Sequence, residues 1–431
     1  MNQKTLIGLA VAALVAILVA IAVNHSKQPR SEGAEVSEKS PYLVPALRDH
    51  VNDVSKIVMT GAENKPVATL DRGADGWSIA EKGGYAVDTG KMREFLLKLA
   101  DAKLVEEKTA NKDKYAALGV EDVAGKDAKG VEVELGGLAQ PVKLIIGNTN
   151  AHGGTFVRRA GEAQSWLASG NISVERKGEN WLRKDVADVA ANRIASVSIA
   201  RPDGKTVRIA KQDEGDANFK LADVPKGREA GAEFTVNGLA STLGGLRFDD
   251  VVPAKDAAPP EKPLNARYAT FDGLVVNVIA WEKDGKDYAQ LMATTDPDQA
   301  NRHIAVQQAK AKADYDASSA HQNAAAPAAD ASKLADAKTD TSDTAVKPAA
   351  VADPAKDRQD KLAALDKEAA DLNARVKDWT FVLPPYKYAN INKSPDELLK
   401  PLEDKKSDAS KKPDAKNPDA KADAAKKPKA G

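Results

Sequence analysis

The sequence predicts an α+β protein. An N-terminal transmembrane helix leads into two similar antiparallel β-rich modules with one helix each; a helical and low-complexity insertion interrupts the second, and a disordered tail follows. Three observations carry this. Leu6 to Val23 is an unbroken run of 18 apolar residues. The order of strand, turn and helix signals that begins near Val54 recurs from Ile194. Val, Ile, Leu and nearly all aromatic residues fall within residues 42–300 and 378–396, whereas residues 310–376 and the stretch after Leu399 are Ala, Lys, Asp and Pro, too poor in apolar bulk for a core. The expected division is a span over 1–24, a tether over 25–45 and a first module over 46–180. The second module covers 181–302 and 378–398, with an insertion over 303–377 and a tail over 399–431.

The apolar run would make a helix of about 27 Å, close to the roughly 30 Å hydrocarbon core of a bilayer. Two membrane readings stand. One is an uncleaved signal anchor; the other is a signal peptide cut after the small-x-small sequence Ala20-Ile21-Ala22. The run continues through that site, which favours the anchor. Lys4 on one side and Lys27 and Arg30 on the other orient it poorly. The short N-terminal tail argues for a single-pass inner-membrane protein with its bulk on the periplasmic side.

In the first module, Ile57-Val58-Met59 and Val67 to Leu70 read as strands around a turn, followed by Trp77-Ser78-Ile79 and Tyr85 to Asp88. A helix over Thr89 to Ala102 is expected, with Asp88 at its N-cap and Met92, Phe95, Leu96 and Leu99 on one face. Strands return at Val131 to Leu135, Pro141 to Ile146, Thr155 to Arg159 and Ser165 to Ala168. The alternation Val131-Glu132-Val133-Glu134-Leu135 is that of a half-buried strand. Trp181 to Val186 is expected to link the copies as a short helical turn.

In the second module, Ile194 to Ile199 and Thr206 to Ile209 flank the turn Arg201-Pro202-Asp203-Gly204. Phe219-Lys220-Leu221 matches Trp77-Ser78-Ile79, and Phe234 to Asn237 matches Tyr85 to Asp88. Asn237 would then cap a helix over Gly238 to Leu246. Strands follow at Tyr268 to Phe271, Leu274 to Trp281, Tyr288 to Met292 and Trp379 to Leu383. The insertion falls before the last of these. Within it Leu362, Leu365, Ala369, Leu372 and Val376 form a coiled-coil seam, either pairing with a helix around Ile304 to Tyr315 or lying on a lone surface helix. Ala317 to Ala355 reads as disordered.

The 63 basic and 63 acidic residues cancel, so no overall field favours nucleic acid. Ten Lys against six Asp and Glu after Leu399 leave a mildly basic, solvated tail. Without cysteine the chain has no disulfide, thiolate ligand or thiol nucleophile. The histidines at 25, 50, 152, 303 and 321 show no metal-ligand spacing, and His152 reads as an ordinary residue of a Gly-rich turn. Phosphate-cradling and serine-elbow motifs are absent from the sequence. Asp249-Asp250 reads as a solvated strand end. No catalytic, cofactor-binding or metal residues are assigned. The aromatic stretch Trp379 to Tyr388 offers a final strand completing the second core, or a partner or ligand surface of Trp379, Tyr386 and Tyr388. Pro384-Pro385 should end that strand.

The N-terminal apolar run, Trp77-Ser78-Ile79 before a helix, the Trp181-Leu182-Arg183 junction and the closing Trp379 to Tyr388 with Asn390 to Lys393 together resemble the bacterial family called domain of unknown function 4340. The resemblance covers residues 1–300 and 378–400. It implies a membrane-anchored envelope protein associated with an ABC-type transporter and a gliding-motility-like auxiliary protein, and it supplies no catalytic residues. Three function classes follow. The leading one is a non-enzymatic accessory or scaffold protein with envelope partners. The second is a periplasmic ligand- or glycan-binding module using the cleft between copies or the aromatic strand. The third is a hydrolase whose sign would be a cleft gathering perturbed carboxylates or His152.

Overall fold

The computed structural model describes residues 40–324 and 351–401, with side chains described up to residue 319 in the first stretch. The predicted span, most of the tether, nearly all of the tail and the middle of the insertion lie outside these residues. Among the described residues no helix is long and apolar enough to cross a membrane.

The chain is α+β, with antiparallel sheets. The first sheet contains β1 (Lys56–Thr60), β2 (Pro66–Gly73), β3 (Gly76–Ile79), β4 (Tyr85–Ala86), β5 (Leu104–Glu107), β6 (Val131–Gly136), β7 (Val142–Thr149), β8 (Thr155–Arg159) and β9 (Ser165–Ala168). Their order is β4-β3-β2-β1-β6-β7-β8-β9-β5. Alternation sets the register: Ile57 lies opposite Leu70 and Leu135, and Met59 opposite Ala68 and Val133, all fully buried. A one-residue slip would turn this whole set to water. Helix α1 (Thr89–Asp101) covers the face with Met92, Phe95, Leu96 and Leu99, and the Asp88 carboxylate caps it by accepting from the Lys91 N–H at 3.0 Å. On the opposite face, Tyr115 at the start of α2 (Tyr115–Leu118) forms a small second core with Val120 and Ile145. There the buried Arg158 guanidinium stacks on Tyr115 at 4.7 Å and donates to the carbonyls of Val120 and Glu162, both at 2.9 Å.

The link between the sheets is a short helical turn, Gly178–Trp181, which ends earlier than the sequence suggests. Leu182 is extended and the chain enters β10 (Asp185–Ala187), because Val186 and Ala187 are buried as a strand. The second sheet follows, with β11 (Ile194–Ala200), β12 (Thr206–Ala210) and β13 (Lys220–Leu221); the separate β14 (Leu246–Arg247) pairs with β10. β15 (Asp250–Pro253), β16 (Leu264–Thr270), β17 (Leu274–Lys283), β18 (Lys286–Thr295) and β19 (Trp379–Val382) complete it. The order β13-β12-β11-β16-β17-β18-β19-β15 repeats β3-β2-β1-β6-β7-β8-β9-β5 strand for strand.

Only β4 lacks a counterpart, and here the sequence alignment of the copies fails. Phe234 to Asn237 is not a strand but the body of α3 (Glu233–Ala240), after which a tight turn covers Ser241–Leu243. Helix spacing wins because it buries Val236, Leu239, Ala240 and Leu243 together and leaves Phe234 80 % exposed. Asn237 is not a cap. Its side-chain oxygen accepts from the Phe219 N–H at 2.9 Å and its amide donates to Asn218 at 2.7 Å, pinning α3 beside β13.

Between β18 and β19 run α4 (Pro297–Ala324) and α5 (Pro354–Val376), longer than the expected helix around Ile304 to Tyr315. They form a hairpin through Gln308, whose amide donates to Asp357 and to the Pro354 carbonyl, both at 2.8 Å. The stripe of Leu365, Ala369, Leu372 and Val376 is buried, yet it is a helix-on-sheet contact rather than a coiled-coil seam. Asn373 exchanges two hydrogen bonds with the backbone of Ala293 in β18, at 2.7 and 2.8 Å. Arg193 bridges Glu368 on α5 and Asp272 at the turn before β17, at 2.8 and 2.7 Å. α3 has eight residues against the thirteen of α1, and α5 supplies apolar cover over β18. Leu372→Ala should therefore cost about 2–4 kcal/mol in chemical denaturation, whereas Val306→Ala on the exposed side of α4 should stay within about 0.5 kcal/mol.

Candidate functional site

The two sheets meet at the turn after β3. A tight turn over Ala80–Lys82 ends in Gly83, whose φ is +66°. A Cβ at Gly83 would lie 2.5 Å from Pro253 in β15, so close approach and a left-handed backbone both require glycine there. The turn delivers Lys82 to the second sheet. Its ammonium donates to Asp250 at 2.7 Å and to Glu179 at 3.0 Å, with 16 % of the side chain exposed. Burial alone would lower the Lys82 pKa, but the hydrogen bonds and charges of Asp250 and Glu179 outweigh it and hold the ammonium above its ordinary value. Burial would likewise raise Glu179; hydrogen bonds and the Lys82 charge win and lower it.

Beside Lys82 stands an aromatic cluster. Tyr85 meets Trp379 edge-on at 4.9 Å, Phe248 at 5.4 Å and Phe381 at 6.1 Å. Burial pushes its phenol up to about 12. Backbone bonds continue the seam: Asp88 N–H donates to Trp181 at 2.8 Å and Arg183 N–H to Ala86 at 3.0 Å.

Next to this junction lies an open cleft of about 400 Å³, with Lys91, Lys184, Arg247, Asp249 and Tyr386 among its lining and Phe248 also contributing. Lys91 is committed to Glu175 at 3.1 Å and to the Asn180 carbonyl at 2.9 Å. The Arg247 guanidinium, 61 % exposed, has only a 3.5 Å approach from Asp185. Lys184 forms no ion pair among the described residues. Asp249 is exposed and uses its backbone N–H, not its carboxylate, to bond Val382 at 2.8 Å.

Three environments hold the aromatic residues singled out in the sequence. β19 ends at Val382, and after Leu383 and Pro384 the chain turns into α6 (Pro385–Ile391) instead of extending a row of rings. Trp379 is partly buried against Tyr85 of the first sheet, while Phe381 fills the core. Tyr386, 64 % exposed, stands at the cleft. Tyr388 packs against the core, where burial first and then Asp287 and Glu282 raise its pKa. Asp250 is not the solvated strand end that the sequence suggests, because Lys82 from the other sheet neutralises it with only 19 % of its side chain exposed. His152 is exposed in the β7–β8 turn, and His303 lies 3.8 Å from Glu214. His25 and the side chain of His321 lie outside the described residues. Among those residues no three His, Asp or Glu side chains converge as a metal site.

Lys82→Met should lower stability by about 1–3 kcal/mol, between the range for exposed pairs and that for buried ones. Glu179 is displaced below 4.5 and Lys82 above 10.5. Their contribution is thus full between those two values, fades as pH falls through the lowered carboxyl and fades again as pH rises through the raised ammonium. Unfolding of wild type and variant across the pH range should show a difference that is flat near neutrality and shrinks at both ends; a difference that grew in acid would contradict the assignment.

No curated protein and no solved structure matches the chain. A family model does match residues 77–266, and its description is a domain of unknown function, DUF4340. The match runs from Trp77 in β3 to Ala266 in β16, and so takes in α1, α3, the Lys82 turn, Asp250 and most of the cleft wall. The stretch that matches the DUF4340 model, residues 77–266, is thus laid across the junction of the two sheets.

Proposed function

We propose that this protein is a non-enzymatic accessory or scaffold protein of the cell envelope, held at the inner membrane by its N-terminal apolar run and serving an ABC-type transport assembly. The observation that carries the reading is how the displaced ionisable groups are used. Lys82 ties the first sheet to the second through Asp250 and to the linking turn through Glu179, and Arg193, held by Asp272, ties the second sheet to Glu368 on α5. Buried Lys387 donates to the carbonyls of Thr242 and Gly244 at 2.9 and 2.7 Å, fastening α6 to the turn after α3. Each is spent on joining elements, as in a rigid frame, whereas catalytic groups are displaced in order to face a substrate. The 18-residue apolar run supplies the membrane attachment in this reading, and the family resemblance supplies the transport partner.

Affinity purification of the full chain from solubilised membranes should recover integral-membrane transport components in fixed ratio, and deletion should impair envelope transport. Recovery of the chain alone, with transport intact after deletion, would refute the scaffold role.

A further inference from the structure

We infer that the cleft between the two sheets binds a sugar residue that carries a carboxylate. The inference rests on the cleft alone and is independent of the scaffold reading.

The cleft has a built frame. Tyr386 projects from α6, which is anchored from below by Lys387 on the carbonyls of Thr242 and Gly244 and by the fully buried Ile391. A ring 64 % exposed on so firmly held a helix does nothing for the core. It does present an apolar face next to polar groups, which is the pairing that the C–H face of a sugar ring requires. Opposite charges then stand uncommitted in the same cleft. Asp88 is used as the cap of α1 and Lys91 by Glu175, which leaves Lys184, the weakly held Arg247 and the Asp249 carboxylate.

These three groups specify the ligand. Asp249 only accepts hydrogen bonds and suits hydroxyl groups; Lys184 and Arg247 only donate and suit a carboxylate through charge-assisted bonds. A neutral sugar would leave the cations unanswered. A compact multiply charged anion would lack hydroxyls for Asp249 and would meet its charge. The volume of about 400 Å³ admits one or two sugar rings.

Calorimetric titration of the full chain with digalacturonate tests this, with lactose as the neutral disaccharide and inorganic phosphate as the bare anion. Digalacturonate should bind saturably and about tenfold or more tighter than either control. Tyr386→Ala and Lys184→Gln should each weaken it about fivefold or more, with the unfolding temperature little changed because Tyr386 is largely exposed and the half-buried Lys184 forms no ion pair among the described residues. Four results would overturn the assignment: no saturable binding, equal binding of lactose, equal binding of phosphate, or binding that neither variant weakens.

Discussion

Docking of the Lys82–Tyr85 turn onto β15 and β19 is the contact on which the rest of the structure depends. Its parts reinforce one another. Gly83 lets the backbone approach Pro253, the approach brings Lys82 between Asp250 and Glu179, and Tyr85 then enters a pocket of Phe248, Trp379 and Phe381. The ion pairs alone would contribute little in water, where partly exposed charges are screened. Burial of the aromatic ring beside them excludes water and fixes their geometry. The cleft exists because this turn holds the two sheets at one angle, with α1 on one side and α6 on the other.

The duplication explains both the likeness of the halves and their difference. Eight strands of the second sheet repeat the order of the first, so the same meander was built twice. The halves then diverge where the helix covers the sheet. α1 spans thirteen residues with a full apolar stripe, whereas α3 spans eight and begins where the first copy still has a strand. The insertion between β18 and β19 adds apolar cover, through α5, to the sheet whose own helix is shorter. What looks in the sequence like an appendage is thus part of the second core.

Features decided by local chemistry were legible in the sequence. Asp88 caps α1, and Met92, Phe95, Leu96 and Leu99 face the core, because capping and helical spacing need no distant partner. The alternation of Val131 to Leu135 set a strand for the same reason. Features decided by distant partners were not. Asn237 resembles Asp88 in sequence position, yet its hydrogen bonds go to Asn218 and Phe219, which no helix rule foretells. Asp250 is one of many acidic residues until Lys82 reaches it from 168 positions away in the chain. Tyr386 was legible as an exposed aromatic candidate, but Lys184, Arg247 and Asp249 join it only because the sheets dock.

If the junction makes one body of two sheets, their cooperativity should depend on it. The direct measurement is hydrogen exchange along a denaturant series, comparing amides of β6 and β7 with those of β16 and β17. Both sets should open at one midpoint in the natural chain, and at two separate midpoints in Gly83→Val, where the added side chain meets Pro253. Two midpoints in the natural chain, or a single unshifted midpoint in the variant, would contradict it.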